Sequence, residues 1–104
     1  MSEQFVYPGI MRKCRGGNYF VENVDFPSGC TQGKDFEDAF FMAKDAICCM
    51  IYAYRKQGKP LPKPSNKVDR RLTKSERFIG ISVDYDQWLE ETAALNKYPL
   101  ETTK

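Results

Sequence analysis

The chain has 104 residues, with 16 Lys plus Arg against 14 Asp plus Glu and no histidine. That length makes one domain with a modest core, and a net charge of +2 is too weak to argue for non-specific nucleic-acid binding by itself. Lacking histidine, the chain has neither the commonest general base nor the commonest metal ligand, which weighs against an enzyme; no cofactor or metal is expected. The four cysteines, Cys14, Cys30, Cys48 and Cys49, show no C-x-x-C or zinc-like spacing. On a helix, Cys48 and Cys49 would point about 100° apart and could not easily bridge each other. Reduced thiols and no evident signal peptide imply a cytoplasmic protein. No apolar run approaches the ~18 residues of a membrane span.

Residues 5–14 read as a strand, with Phe5, Tyr7, Gly9 and Met11 on one face and Val6, Pro8 and Ile10 on the other. Pro8 cannot donate to a ladder, so this strand should lie at an edge or have Pro8 facing a gap in the pairing. Arg15-Gly16-Gly17-Asn18 is a turn signal, and residues 19–24 resume extended character, which predicts an antiparallel hairpin. Pro27 and Gly29 break the second strand. Cys30-Thr31-Gln32 is a short third-strand candidate, and Gly33 allows a tight entry into a helix.

That helix should run for about five turns. Asp35 is placed as its N-cap, with Glu37 and Asp38 in the first turn, where the macrodipole favours negative charge. Phe36, Phe40, Ala43, Ile47, Met50, Ile51 and Tyr54 recur at helical spacing and predict a sheet-packing face. Ala39, Ala46 and Ala53 extend that face with small side chains, and Gly58 suits the position after the C-cap. The opposite sector carries Glu37, Asp38, Lys44, Asp45, Arg55 and Lys56, yet Phe41, Cys48 and Tyr52 fall inside it. Two readings of that apolar stripe stand: a linker or second helix folds back over it, or it is a partner-binding surface.

Residues 59–65 form a stiff polyproline-like exit that crosses the end of the sheet. Residues 66–77 carry Lys67, Arg70, Arg71, Lys74 and Arg77, a basic loop that is solvated unless it touches phosphate or an acidic partner. A last strand over 78–83 puts Ile79, Ile81 and Val83 on one face. Asp84 then opens a short helix, paired with Gln87 in capping-box fashion, with Trp88, Leu89, Ala93 and Leu95 on its apolar side. The Asn96-Lys97-Tyr98-Pro99 stretch should end it. The expected fold is α+β: an antiparallel three-stranded sheet packed on one long helix, then a fourth strand and short helix. One domain should span residues 1–95, with a polar tail over 96–104.

Several fragments taken together resemble the HicB family of antitoxins. They are Tyr7-Pro8, Gly17 with Tyr19 and Val21, Asp25-Phe26-Pro27, Thr31-Gln32-Gly33 and Glu37-Asp38-Ala39. Ala43-Lys44-Asp45-Ala46 and Gly58-x-Pro60-Leu61-Pro62-x-Pro64-Ser65 complete the match, which covers residues 5–89. The resemblance implies a partial, catalytically dead ribonuclease-H-like fold. It also implies a partner, the small mRNA-cleaving ribonuclease HicA, whose active site the antitoxin covers, and a dimer or higher oligomer. Many family members read promoter DNA through a C-terminal helix-turn-helix or ribbon-helix-helix segment. Here nine residues follow Leu95, too few for either module, so direct operator binding is not expected. Family antitoxins are often acidic against a basic toxin, a complementarity that a net +2 does not show.

Three functions compete on these grounds. A toxin-neutralising protein would use the Phe41, Cys48 and Tyr52 stripe or a sheet edge. A solitary nucleic-acid-binding regulator would use Lys67, Arg70, Arg71, Lys74 and Arg77. A ribonuclease-H-type nuclease would need acidic residues converging on Mg²⁺, for which Glu22, Asp25, Asp35 and Asp38 are available. Asp35 and Asp38 are already explained as helix-start residues, and no catalytic constellation is assigned.

Overall fold

The structure, a computed structural model, describes residues 3–26, 30–68 and 70–94. The turn expected at residues 27–29, the helix stop at 96–99 and the polar tail lie outside the described residues. Strand β1 (Gln4–Lys13) is followed by a 3₁₀ turn at Arg15–Gly17, then β2 (Tyr19–Asn23) and β3 (Thr31–Gly33). Helix α1 (Phe36–Lys56), strand β4 (Glu76–Asp84) and helix α2 (Tyr85–Ala94) complete the order. Gly16 and Gly17 take φ values of 82° and 90° in the hairpin turn, a region that favours residues without a Cβ.

All four strands join one antiparallel sheet in the order β3-β2-β1-β4. The fourth strand therefore extends the sheet rather than following it, and β1 is interior. Its proline survives there because β2 ends just before it. The carbonyl of Pro8 accepts from the Val24 amide at 3.2 Å, beyond the last β2 rung at Asn23, so the ring nitrogen faces the end of that ladder. Of the two sequence expectations for Pro8, the gap holds and the edge does not.

Alternation assigns the two faces of the sheet. Tyr7, Met11, Val21, Ile81 and Val83 point toward α1 and are buried. Ala39, Ala43, Ile47 and Ile51 meet them along one stripe of the helix, each fully buried. Burying the two isoleucines alone contributes roughly 1.5–3 kcal/mol each. The approach is closest at the start of the helix, where a Cβ on Gly33 would come within 2.3 Å of the Ala39 amide nitrogen. Gly33 is required there by the nearness of α1.

Capping fixes both ends of α1. The Asp35 carboxylate accepts from the Asp38 amide at 2.8 Å. At the other end Gly58, with φ at 71°, lets its own amide reach the Arg55 carbonyl while Lys59 reaches that of Tyr54, a Schellman stop. The polyproline exit is then pinned twice as it crosses the sheet. The Tyr7 hydroxyl donates to the Pro62 carbonyl at 2.7 Å, and both oxygens of Asp25 accept from the Ser65 amide and hydroxyl. Beneath it Phe26 is fully buried, edge-on to Tyr7 and Tyr54.

One expectation for α1 is corrected, and one open alternative is decided. Phe36 is in phase with the core but 48% exposed, because the first turn reaches the rim of the sheet and offers it only Tyr19 edge-on and Phe40 stacked. Cys48 belongs to the core at 2% exposure, because α2 packs along that flank of α1.

The basic loop is a structural cover on the far face of the sheet. Arg70 forks onto both carboxylate oxygens of Glu76 at 3.0 Å and reaches Glu22 at 3.6 Å. Glu22 lies on β2 and Glu76 on β4, so the guanidinium spans the central strand, where Ile10 is 3% exposed on the face away from α1. Glu76 is itself 5% exposed and also accepts from the Thr73 amide. The Arg70 fork, with that amide, holds its carboxyl at about 2, against an ordinary 4.5. A depressed carboxyl stabilises the fold above its unfolded value and loses that contribution as pH falls toward the folded one. Glu76→Gln should therefore lower the urea midpoint near neutral pH, and its gap from the parent protein should close between pH 4.5 and about 2. A gap that stays constant across that range would contradict the linkage.

Candidate partner-binding site

Helix α2 is anchored before it forms a groove. The Asp84 carboxylate caps it by accepting from the Gln87 amide at 3.0 Å, while the Gln87 side chain turns forward to Glu91. The start of β1 holds its first turn: the Tyr85 amide donates to the Glu3 carbonyl, and the Glu3 amide donates to Asp86. Arg55 at the end of α1 forks onto the Glu3 carboxylate and lies over the Phe5 and Tyr85 rings. Trp88 then stacks on Tyr85, tilts against Tyr52, and donates from Nε1 to Asp45 at 2.8 Å.

A groove with a cavity of about 160 Å³ lies between the two helices. Cys48, Val83 and Thr92, all buried, line it, and Phe41 stands among the lining residues at 62% exposure. Asp45, Asp84 and Glu91 also contribute to it, with Lys44 the one cation among its described lining residues. Three carboxylates and one protruding aromatic ring make a surface suited to a cationic partner with an apolar notch.

The stripe expected from the sequence does share one flank of α1, but its members differ in access. Phe41 is open, Tyr52 is half-buried against Trp88, and Cys48 lies too deep to touch a partner. The second helix covers the latter two, as one of the two sequence readings held. The carboxylates escaped the sequence reading because Asp45, Asp84 and Glu91 converge only once α2 docks. The spacing of Asp84 and Gln87 signalled a cap and nothing more.

The cations of the basic loop separate as well. Arg70 is committed to Glu76 and Glu22, while Lys67 and Arg71 are exposed. Lys74 and Arg77 instead join Lys13 and Arg15 around a second recess, of about 530 Å³. Its described lining also includes Met11, Ile79, Tyr19 and Phe36, and no acidic residue. The carboxylates considered for a metal are occupied separately. Glu22 pairs with Arg70, Asp25 clips Ser65, Asp35 caps α1, and Asp38 accepts from the Lys34 amide. Among the described residues, no helix is long and apolar enough to cross a membrane.

Burial pushes the Cys48 thiol up to about 12, with Cys49 and Asp45 adding to it. The thiolate is the reactive form. Alkylation under mildly alkaline native conditions should therefore modify exposed Cys30 and spare Cys48, as read by peptide mass mapping. Labelling of Cys48 at the rate of Cys30 would mean that α2 does not cover it.

Comparison with known proteins places this arrangement. Residues 7–73 match the family of HicB-like antitoxins of bacterial toxin–antitoxin systems. Antitoxin HicB 1 of Photorhabdus laumondii is 27% identical over 95 residues, 88% of this chain and 61% of its own length. Among solved structures, a toxin–antitoxin complex from Streptococcus pneumoniae superposes with a TM-score of 0.68 at 20% identity, over 83% of this chain and 73% of that one. The N-terminal domain of the Burkholderia pseudomallei antitoxin HicB gives 0.65 at 20% identity, covering 77% of this chain and 99% of that domain. A HicA3–HicB3 toxin–antitoxin complex gives 0.55 at 26% identity, over 77% and 96%. With the family match covering most of the folded core, the chain belongs to the HicB-like antitoxins.

Proposed function

We propose that this chain is the neutralising core of a toxin–antitoxin pair and that it sterically blocks a small HicA-type mRNA-cleaving ribonuclease. Family membership supports the class of function, and two of the similar structures are toxin–antitoxin complexes. The observation that carries the choice of surface is the α1–α2 groove, where Phe41 stands beside Asp45, Asp84 and Glu91. A protein that cleaves RNA has to attract phosphates, so the face around its active site is cationic. Carboxylates of the groove would take the place of those phosphates. The Phe41 ring would seat in the toxin and exclude water around them, as buried aromatic anchors do.

Inhibition of this kind needs no chemistry from the antitoxin. The interface fills the space that RNA would occupy, and the nuclease's active site is hidden rather than modified. The positive overall charge is compatible with it, because the surface that meets the toxin is locally acidic.

The test is RNA cleavage by a cognate HicA-type ribonuclease, titrated with the antitoxin. Suppression near molar equivalence is expected, and undiminished cleavage at excess would remove the function. Phe41→Arg should fold normally, since the side chain is 62% exposed. It should weaken binding by about 2 kcal/mol or more, some thirtyfold. Unchanged affinity in that variant would move the interface away from the groove.

A further inference from the structure

The second recess carries an inference independent of the toxin. It lies on the same face of the sheet as α1, at the end that the helix leaves uncovered. Met11 of β1 and Ile79 of β4 contribute its apolar part, and Tyr19 with half-exposed Phe36 its aromatic part. Lys13, Arg15, Lys74 and Arg77 supply four positive charges, and no carboxylate stands among the described residues that line it. Arg77 is held in place by the carbonyls of Lys74 and Glu76, both at 3.0 Å, neutral acceptors that leave its charge uncompensated. Four cations around one recess repel one another, and an anionic ligand would relieve that repulsion.

Two main-chain amides at the rim are already used. The Lys13 amide donates to the Ser75 carbonyl at 3.1 Å, and the Cys14 amide donates to that of Asn18 at 2.7 Å. The outer edge of β4 still offers a ladder to an acidic peptide, and competition by polyglutamate separates that occupant from nucleic acid. Single-stranded nucleic acid needs no ladder, because its affinity comes from cations along the phosphates and from rings on which bases stack. The volume, about 530 Å³, falls within the roughly 300–1,000 Å³ range of ligand sites.

We propose that this recess binds a segment of single-stranded nucleic acid, with a base on the Phe36 and Tyr19 rings and neighbouring phosphates on Lys13, Arg15, Lys74 and Arg77. The surface differs from the toxin groove, and the two linings share no residue. It also differs from the loop cations taken together, of which only Lys74 and Arg77 take part.

Fluorescence anisotropy of a labelled oligouridylate, titrated with the intact chain at several salt concentrations, tests this. Binding is expected at low salt, with log K falling against log salt at a slope of about −3 for four phosphates on a single strand. Lys13→Ala combined with Lys74→Ala should weaken binding at least tenfold and flatten the slope. Phe36→Ala, which keeps every charge, should cost about fivefold or more through lost stacking. Lys67→Ala with Arg71→Ala, outside the recess, and Phe41→Arg, in the toxin groove, should each change affinity less than twofold. Circular dichroism of each variant separates lost binding from lost folding. Absence of binding at low salt would overturn the proposal, as would indifference to Phe36→Ala or equal displacement of the oligonucleotide by polyglutamate.

Discussion

The fit of α1 onto the sheet is the constraint on which the other features depend. Gly33 lies so close to the first turns of the helix that a Cβ there would strike the Ala39 backbone. Ala39 and Ala43 continue the close approach, and Ile47 and Ile51 fill the wider space farther along. With its N-terminal end held down by Gly33 and its C-terminal end stopped at Gly58, the helix has one position on the sheet. That position leaves the Lys13 end of the helix-side face uncovered and one flank of α1 free. The basic recess occupies the first space, and α2 closes most of the second.

Charge is divided in the same way. A net charge of +2 averages over surfaces of opposite sign. The α1–α2 groove collects Asp45, Asp84 and Glu91 against Lys44, whereas the recess collects Lys13, Arg15, Lys74 and Arg77 with no acid among its described lining. The weak overall charge is therefore no obstacle to an acidic docking surface. Two partners of opposite charge could be held by one small domain without competing for side chains. On the remaining face of the sheet, the Arg70 pairs with Glu76 and Glu22 bind the loop across β1, a structural use for an arginine that composition alone would send to phosphate.

Local signals were legible in the sequence wherever the physics is local. The Asp35 cap, the Gly16-Gly17 turn, the Gly58 stop and the alternation of Ile79, Ile81 and Val83 each act within a few residues, and each stands where the pattern put it. The order of elements was legible for the same reason, and so was the family. What depended on packing between distant segments was not. Nothing near Pro8 says that β4 will pair with β1 and make it interior. The periodicity of α1 set Cys48 on the polar sector, and only the arrival of Trp88 beside Tyr52 and Asp45 turns that flank inward. Phe36 shows the reverse case, in phase with the core yet beyond the sheet that would have buried it.

Whether the flank shared by α1 and α2 receives the toxin is tested most directly by hydrogen–deuterium exchange. The antitoxin would be compared alone and in complex with a cognate HicA-type ribonuclease, the partner proposed for it. Residues 41–48 and 84–92 should exchange more slowly in the complex, while the turn at Arg15–Gly17 and the β4 start at Glu76 stay unchanged. Slowed exchange confined to that turn and to β4, with the two helices unaffected, would contradict the assignment and place the toxin on the basic recess instead.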